Sequence, residues 1–186
     1  PVGYGLAQFL APLSPETIRT AHKVIWWIHA LVAFAFIGTI PFTKAFHLIS
    51  SPVNLIFRQP GPPGQLPLAA PSGVARIQDF TWRQLLQIEA CTWCGKCQEV
   101  CPSHATGFPL SPRDVVQQLD GVLLRTALGN GNGVPSLAGE VVTAETLWSC
   151  CACRACEDIC PVGVEQPRLL VDLRRRLVDQ GQVDEG

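Results

Sequence analysis

Two runs of cysteine constrain this chain more than any other feature. CTWCGKCQEVCP places Cys91, Cys94, Cys97, Cys101 and Pro102, and CCACRACEDICP places Cys150, Cys153, Cys156, Cys160 and Pro161. Both read C-x2-C-x2-C-x3-C-P, and corresponding positions lie 59 residues apart, so the pattern is an internal repeat. This is the spacing that holds cubane 4Fe–4S clusters. Three thiolates two residues apart on a tight loop wrap three corners of a cube. The fourth, one helical turn further on and followed by proline, points away and serves the other cluster. The expected sets are therefore crossed: Cys91, Cys94 and Cys97 with Cys160, and Cys150, Cys153 and Cys156 with Cys101. Cys151 breaks the register and is left as a ninth, non-ligand cysteine, expected as a small buried apolar residue beside the cluster. Structural zinc uses four ligands from paired C-x2-C knuckles and has no need of a third cysteine or of Cys-Pro. A disulfide framework suits small secreted domains, not clustered cysteines joined to an apolar helix.

That apolar helix lies near the N-terminus. Residues 24–43, VIWWIHALVAFAFIGTIPFT, carry no formal charge apart from the titratable His29. At about 1.5 Å per residue they span roughly 30 Å, one bilayer core. Ser14-Pro15-Glu16 reads as the helix start, and Trp26 and Trp27 sit where aromatic belts lie. The expectation is a membrane segment over residues 1–58, with a transmembrane helix over about 22–50, kinked at Pro41, and an interfacial helix over about 52–58. Residues 59–75, rich in Pro and Gly, read as an extended linker. Residues 76–186 read as a helical domain, since strand alternation is nearly absent. Its helix starts include the capping box Thr81-x-x-Gln84, Ser111-Pro112-Arg113-Asp114, and Gln166-Pro167. GNGNG at 129–133 follows no strand and reads as a loop. The fold class is thus all-α: one transmembrane helix plus an α-helical ferredoxin domain with two cubane clusters.

Charge divides the chain in the same place. Residues 1–75 carry four Lys/Arg against one acid, a net +3, and residues 76–186 carry ten against fourteen, a net −4. Neither part is basic enough for nucleic acid. Lys44, Arg58, Arg76 and Arg83 follow the apolar helix, which places the cluster domain on the cytoplasmic side of a bacterial or archaeal membrane. The chain contains no methionine and opens on Pro1-Val2-Gly3, so a processed chain or a segment of a longer one is expected.

His29 and His47 are eighteen residues apart, five whole turns on one continuous helix, and so share a stripe about 27 Å long. Ionisable residues inside a membrane are functional candidates, and histidine near each end of a span suits two b-type haems, one at each face. Phe36 lies between them. Lys44 is about 60° off the stripe, a candidate partner for a haem propionate. The plain alternative is an interfacial His47 and a merely hydrogen-bonded His29. His22 is a weaker candidate, and His104 is expected beside the cluster or at the surface.

Residues 80–178, from FTWRQLLQIEACTWCGKCQEVCP to ICPVGVEQPRLLVDLRRRLV, resemble the cluster-binding module of heterodisulfide-reductase-related iron–sulfur proteins. The resemblance implies the helical ferredoxin fold also found in succinate dehydrogenase iron–sulfur subunits. HKVIWWIHALVAFAFIGTIPFTKAFHLISSPVNLIFR resembles the last membrane helix of nitrate reductase gamma-type cytochrome b. That family carries two haem-ligating histidines on this helix, at positions matching His29 and His47. The downstream cysteine-rich repeats of heterodisulfide reductases and a flavin fingerprint do not occur here. The resemblance therefore implies electron transfer rather than substrate conversion in this chain. The expected function is an electron-transfer subunit working between quinone, b haems, two 4Fe–4S clusters and a soluble redox partner, with other membrane helices supplying the second haem ligands. The alternatives are the central part of a complete heterodisulfide-reductase-like enzyme, and a membrane-anchored iron–sulfur subunit without haem.

Overall fold

The structure, a computed structural model, describes residues 11–58, 73–129 and 136–183, together with Gly3 and Gln8. Most of the expected linker, residues 59–72, and most of GNGNG lie outside the described residues. The chain divides into two compact units, Pro1–Ala45 and Phe46–Gly186. Among the described residues it is helical, with no strand and one isolated bridge between Ala138 and Val142.

The first unit is built on α1, Pro15–Thr39. Ser14 caps it, its hydroxyl accepting from the Thr17 N–H at 3.3 Å, with Pro15 and Glu16 in the first turn. No residue of α1 is buried. With the turn that follows it forms a 28-residue stretch, Pro15–Phe42, whose most apolar 18-residue window has a mean hydropathy of 1.9, the one candidate membrane span among the described residues.

The helix ends earlier than the expected 22–50. Pro41 has no N–H to offer the Ile37 carbonyl, and the Ile40 N–H takes it instead. The chain tightens into a 3-10 turn, Ile40–Phe42, and Thr43 is extended at φ −127°, ψ 167°. His29 is on α1, whereas His47 opens a separate helix. The continuous stripe and its straight-helix length of about 27 Å therefore do not hold through Pro41.

The second unit begins with that helix, α2, His47–Ile56. It starts well before the expected 52–58, with Pro52 in its interior. Pro52 forfeits one helical bond, and side chains of Ser50, Ser51 and Asn54 anchor the helix from its other side. The remaining elements are α3 (Trp82–Glu89), α4 (Lys96–Glu99), α5 (Pro102–Ala105), α6 (Pro112–Ala127), α7 (Ala144–Trp148), α8 (Ala155–Asp158) and α9 (Gln166–Asp179). The local signals behind them are visible. Thr81 and Gln84 form the reciprocal capping box of α3, and Ser111 accepts from the Asp114 N–H at the start of α6.

The core joins α3, α6, α7 and α9 through Ile88, Val116, Leu119, Leu147, Leu169, Leu173 and Leu177, all fully buried. Each such side chain contributes about 1.5–3 kcal/mol relative to exposure. The domain takes in the last residues assigned above to the linker. Val74 is buried and its N–H donates to the Asp172 carbonyl at 3.1 Å. Gly73, at φ +71°, lies so close to α9 that a Cβ there would stand 2.4 Å from the Arg176 nitrogen. Glycine alone fits that approach.

Candidate metal centre

Both cysteine runs fold in the same way. Each puts its first three cysteines on a loop that closes into a one-turn helix, α4 in the first and α8 in the second. Left-handed residues recur at equivalent positions: Trp93 (φ 58°) and Ala152 (φ 54°), then Gly95 (φ 82°) and Arg154 (φ 67°). Backbone alternating in this way gathers N–H groups into a concavity suited to an anion. The Ala152 N–H donates to the Cys150 sulfur at 3.4 Å, and the Trp93 N–H does the same for Cys91 in the first run. The repeat extends from sequence spacing to backbone dihedrals, with one difference. Arg154 stands where the first run has glycine, and its guanidinium is held by the buried Glu157 at 2.6 and 3.0 Å.

Cys91, Cys94, Cys97 and Cys160 line one concavity, together with Gln166, Arg113 and Val162. Burial pushes the Cys91 and Cys97 thiols up from an ordinary 9.0 to about 11, with Cys160 and Cys94 beside them adding to the rise. The Cys160 sulfur also accepts the Val164 N–H at 3.3 Å. In the second set, burial pushes Cys156 up to about 12, and Cys150, Cys153 and Cys101 are among the neighbours that reinforce it. Cys97 is a further neighbour of Cys156, so the two sets adjoin. Cys150 is likewise raised by burial, against the opposing influence of the Ala152 N–H and the Arg174 cation. No three His, Cys, Asp or Glu among the described residues stand close enough to hold a single metal ion. Thiols spread around a cube are further apart than the ligands of one zinc. Eight thiols in two sets, cradled by N–H donors, fit anionic iron–sulfur clusters, which load with release of the thiol protons.

Different side chains brace the two loops. Ahead of Cys91, the Glu89 carbonyl accepts from Ser50 at 3.1 Å and the Ala90 carbonyl from Ser51 at 2.8 Å. After Cys160, the Val162 carbonyl accepts from Asn54 at 2.7 Å. All three donors belong to α2. In the second run Ser103 bonds the Ser149 carbonyl at 2.6 Å, 59 positions on from Ala90. Arg174 on α9 donates to the carbonyls of Leu147, Trp148 and Cys150 and lies 5.2 Å from the Trp148 ring centroid. Neutral hydroxyls thus hold the entry to the first set, and a hydroxyl and a cation together hold the entry to the second.

Sequence reasoning missed Ser50, Ser51, Asn54, Ser103 and Arg174. The one available signal was the Ser-Ser-x-x-Asn pattern inside an apolar run, a polar stripe at helical spacing. Cys151 is exposed, not buried as expected, because Cys150 takes the inward position of the loop. Hydrogen bonds, chiefly from the Cys153 N–H, lower its thiol pKa. His104 contacts the Leu110 carbonyl at 3.2 Å through Nδ1 and Gln98 at 2.8 Å through Nε2, joining α4 to the start of α6. His22 and His29 lie exposed on α1, His47 is half-buried, and the Lys44 side chain lies outside the described atoms.

The fold and donor set define an α-helical iron–sulfur protein of the ferredoxin kind. Residues 87–164 match the 4Fe-4S dicluster domain family, and this part of the chain is such a domain. Over 96% of its length the chain is 34% identical to an "EtfAB:quinone oxidoreductase" of Syntrophomonas wolfei, covering 29% of that protein. It is 32% identical over 99% of its length to the "Probable iron-sulfur-binding oxidoreductase FadF" of Bacillus subtilis, covering 32% of it. A "Probable membrane-anchored ferredoxin" of Chromohalobacter salexigens matches 58% of the chain at 41% identity, over 19% of that protein. The chain thus spans a third or less of these relatives. A shorter match, 27% identical over 56% of the chain and 27% of the relative, is to a component of the dihydromethanophenazine:CoB–CoM heterodisulfide reductase of Methanosarcina acetivorans. The relation to that group therefore holds for the iron–sulfur part.

Proposed function

We propose that this chain carries electrons through a membrane oxidoreductase, between quinone and b-type haems on one side and a soluble redox partner on the other, by way of two 4Fe–4S clusters. Cys91, Cys94, Cys97 and Cys160 hold the first cluster, and Cys101, Cys150, Cys153 and Cys156 the second. The observation that carries this reading is the meeting of Cys160 with the first three cysteines in one concavity. Each cluster, once bound, accepts and passes on one electron at a time. The residues here supply the thiolates, aim N–H groups at sulfur, and brace the two loops through Ser51 and Arg174, of which Arg174 alone brings charge. His29 and His47 would each hold one haem together with a histidine from another helix, and Lys44 would pair with a propionate. The cluster domain faces the cytoplasm. The soluble partner is of the EtfAB kind, the pair for which the S. wolfei relative is named.

The test is metal and haem analysis of the anaerobically purified complex. Eight irons per chain, with the loss of one cluster signal in both Cys97→Ser and Cys160→Ser, support the assignment. Four irons, or loss of different signals in those two variants, overturn it. His29→Ala and His47→Ala should each remove one haem and spare the other. Unchanged haem content in both would reduce α1 to an anchor. A second reading, a complete enzyme of which this stretch is the central part, is favoured by the match to only 29% of the S. wolfei protein. The mass of the natural chain tells the two apart.

A further inference from the structure

The helix α2 is amphipathic in the wrong sense for a surface helix in water. Its polar residues face inward: Ser50 is 1% exposed and Asn54 3%. Leu48, Ile49 and Ile56 fall on the opposite side at 100° per residue, and Leu48 and Ile56 are 63% and 77% exposed. Phe57, the C-cap of the helix, is exposed beyond the end of that stripe. Its ring meets Trp82 edge-on at 5.6 Å between centroids, and Trp82 is itself 60% exposed. From His47 to Phe57 the chain has no charged residue apart from the titratable His47. A water-facing helix has its apolar stripe turned to the core. Here the core side is polar, because it meets backbone carbonyls.

We propose that the outward stripe of α2, with Phe57 and Trp82, rests in the interfacial layer of the lipid bilayer and so holds the Cys91/Cys94/Cys97/Cys160 site against the membrane. The proposal rests on the membrane reading of the previous subsection. The occupant is lipid for three reasons. The candidate span ends at Phe42, and the covalent chain alone holds His47 within about 18 Å of that end. The stripe carries none of the polar groups that fix register in a protein interface. An exposed aromatic pair at the end of an apolar stripe is how side chains seat at the headgroup level. The opposite side of the same helix bonds the carbonyls that enter Cys91 and leave Cys160. One helix, about 10 Å across, then separates lipid from the first cysteine set, which becomes the membrane-proximal site.

The experiment is photo-crosslinking of the full chain in native membranes, with benzoyl-phenylalanine placed in turn at Leu48, Ile56 and Trp82. Val178, an exposed apolar residue of α9, is the comparison site. The expected result is lipid adducts at all three test positions and none at Val178. Adducts to a second polypeptide at Leu48 and Ile56, no adduct at either, or equal lipid labelling at Val178 would overturn the proposal. Iron content is measured on the same samples. Loss of lipid adducts with eight irons present refutes the docking alone, and missing iron with lipid adducts present refutes the cluster reading alone.

Discussion

Removing the α2 clamp should loosen the helix without touching a cysteine. Ser51 Oγ donates to the Ala90 carbonyl at 2.8 Å, and Asn54 Nδ2 to the Val162 carbonyl at 2.7 Å. Both donors are buried, and Ala90 is wholly so. A buried carbonyl left without its donor costs about 1–3 kcal/mol. Each 1.4 kcal/mol is about a tenfold change in an equilibrium. Ser51→Ala and Asn54→Ala should therefore each raise local opening of α2 roughly tenfold. The double variant should come near the product, because the two bonds act on different loops. The assay is amide hydrogen exchange over residues 47–57 in reconstituted membranes, with Leu48→Ala, on the outer stripe, as the control. Exchange should rise in α2 and in the loop entering Cys91, and stay unchanged in α6 and α9. Unaltered exchange in Ser51→Ala, or equal loosening in Leu48→Ala, would show that the hydroxyl–carbonyl bonds do not hold the helix.

Arg174→Gln removes a cation that bonds the Leu147 and Cys150 carbonyls, so redox titration by EPR should show the second cluster falling in potential while the first stays in place. Cys150→Ser should halve the iron per chain, whereas Cys151→Ser should leave it at the wild-type level, because Cys151 stands exposed outside the spacing; equal iron loss in the two would move the register by one residue. In the cluster-free protein, Cys91 and Cys97 titrate at about 11 instead of 9.0 because burial disfavours the thiolate. A raised folded pKa gives stability that is complete below pH 9 and lost as pH climbs through 11. Chemical denaturation of stripped protein should accordingly weaken across pH 9–11, and a midpoint that is flat over that interval would contradict the burial.

The parts of this structure written in local rules were legible in the sequence. Ser14, Thr81 and Ser111 announce their helices because a cap bonds an N–H only two or three positions away. The cysteine spacing announces two crossed sets because it reports loop geometry directly. What stayed hidden depends on distant partners. Nothing near Arg174 says that its guanidinium ends at carbonyls about 25 residues upstream. Trp93, Ala152 and Arg154 occupy a backbone region that favours glycine, and only Gly95 hinted at it. In the sequence Pro41 reads as a kink in one long helix. A tightened turn and the extended Thr43 instead divide the segment, and α2 takes its direction from carbonyls in the cysteine loops. The exposed Cys151 shows the same limit, since spacing names the ligands but not the side of the loop on which the extra residue falls.

The crossed ligand sets also carry a consequence in time. On the proposed assignment the first three cysteines emerge from the ribosome 59 residues ahead of the next three, yet their fourth ligand, Cys160, comes last of all. At about 5–20 residues per second, the first trio waits of the order of several seconds with no means of closing its cube. Neither cluster can be completed early, and a polypeptide stopped anywhere before Cys160 leaves the first site open at one corner. Synthesis therefore sets a checkpoint near the start of α9, and cofactor delivery belongs after it, when one chain can receive both cargoes.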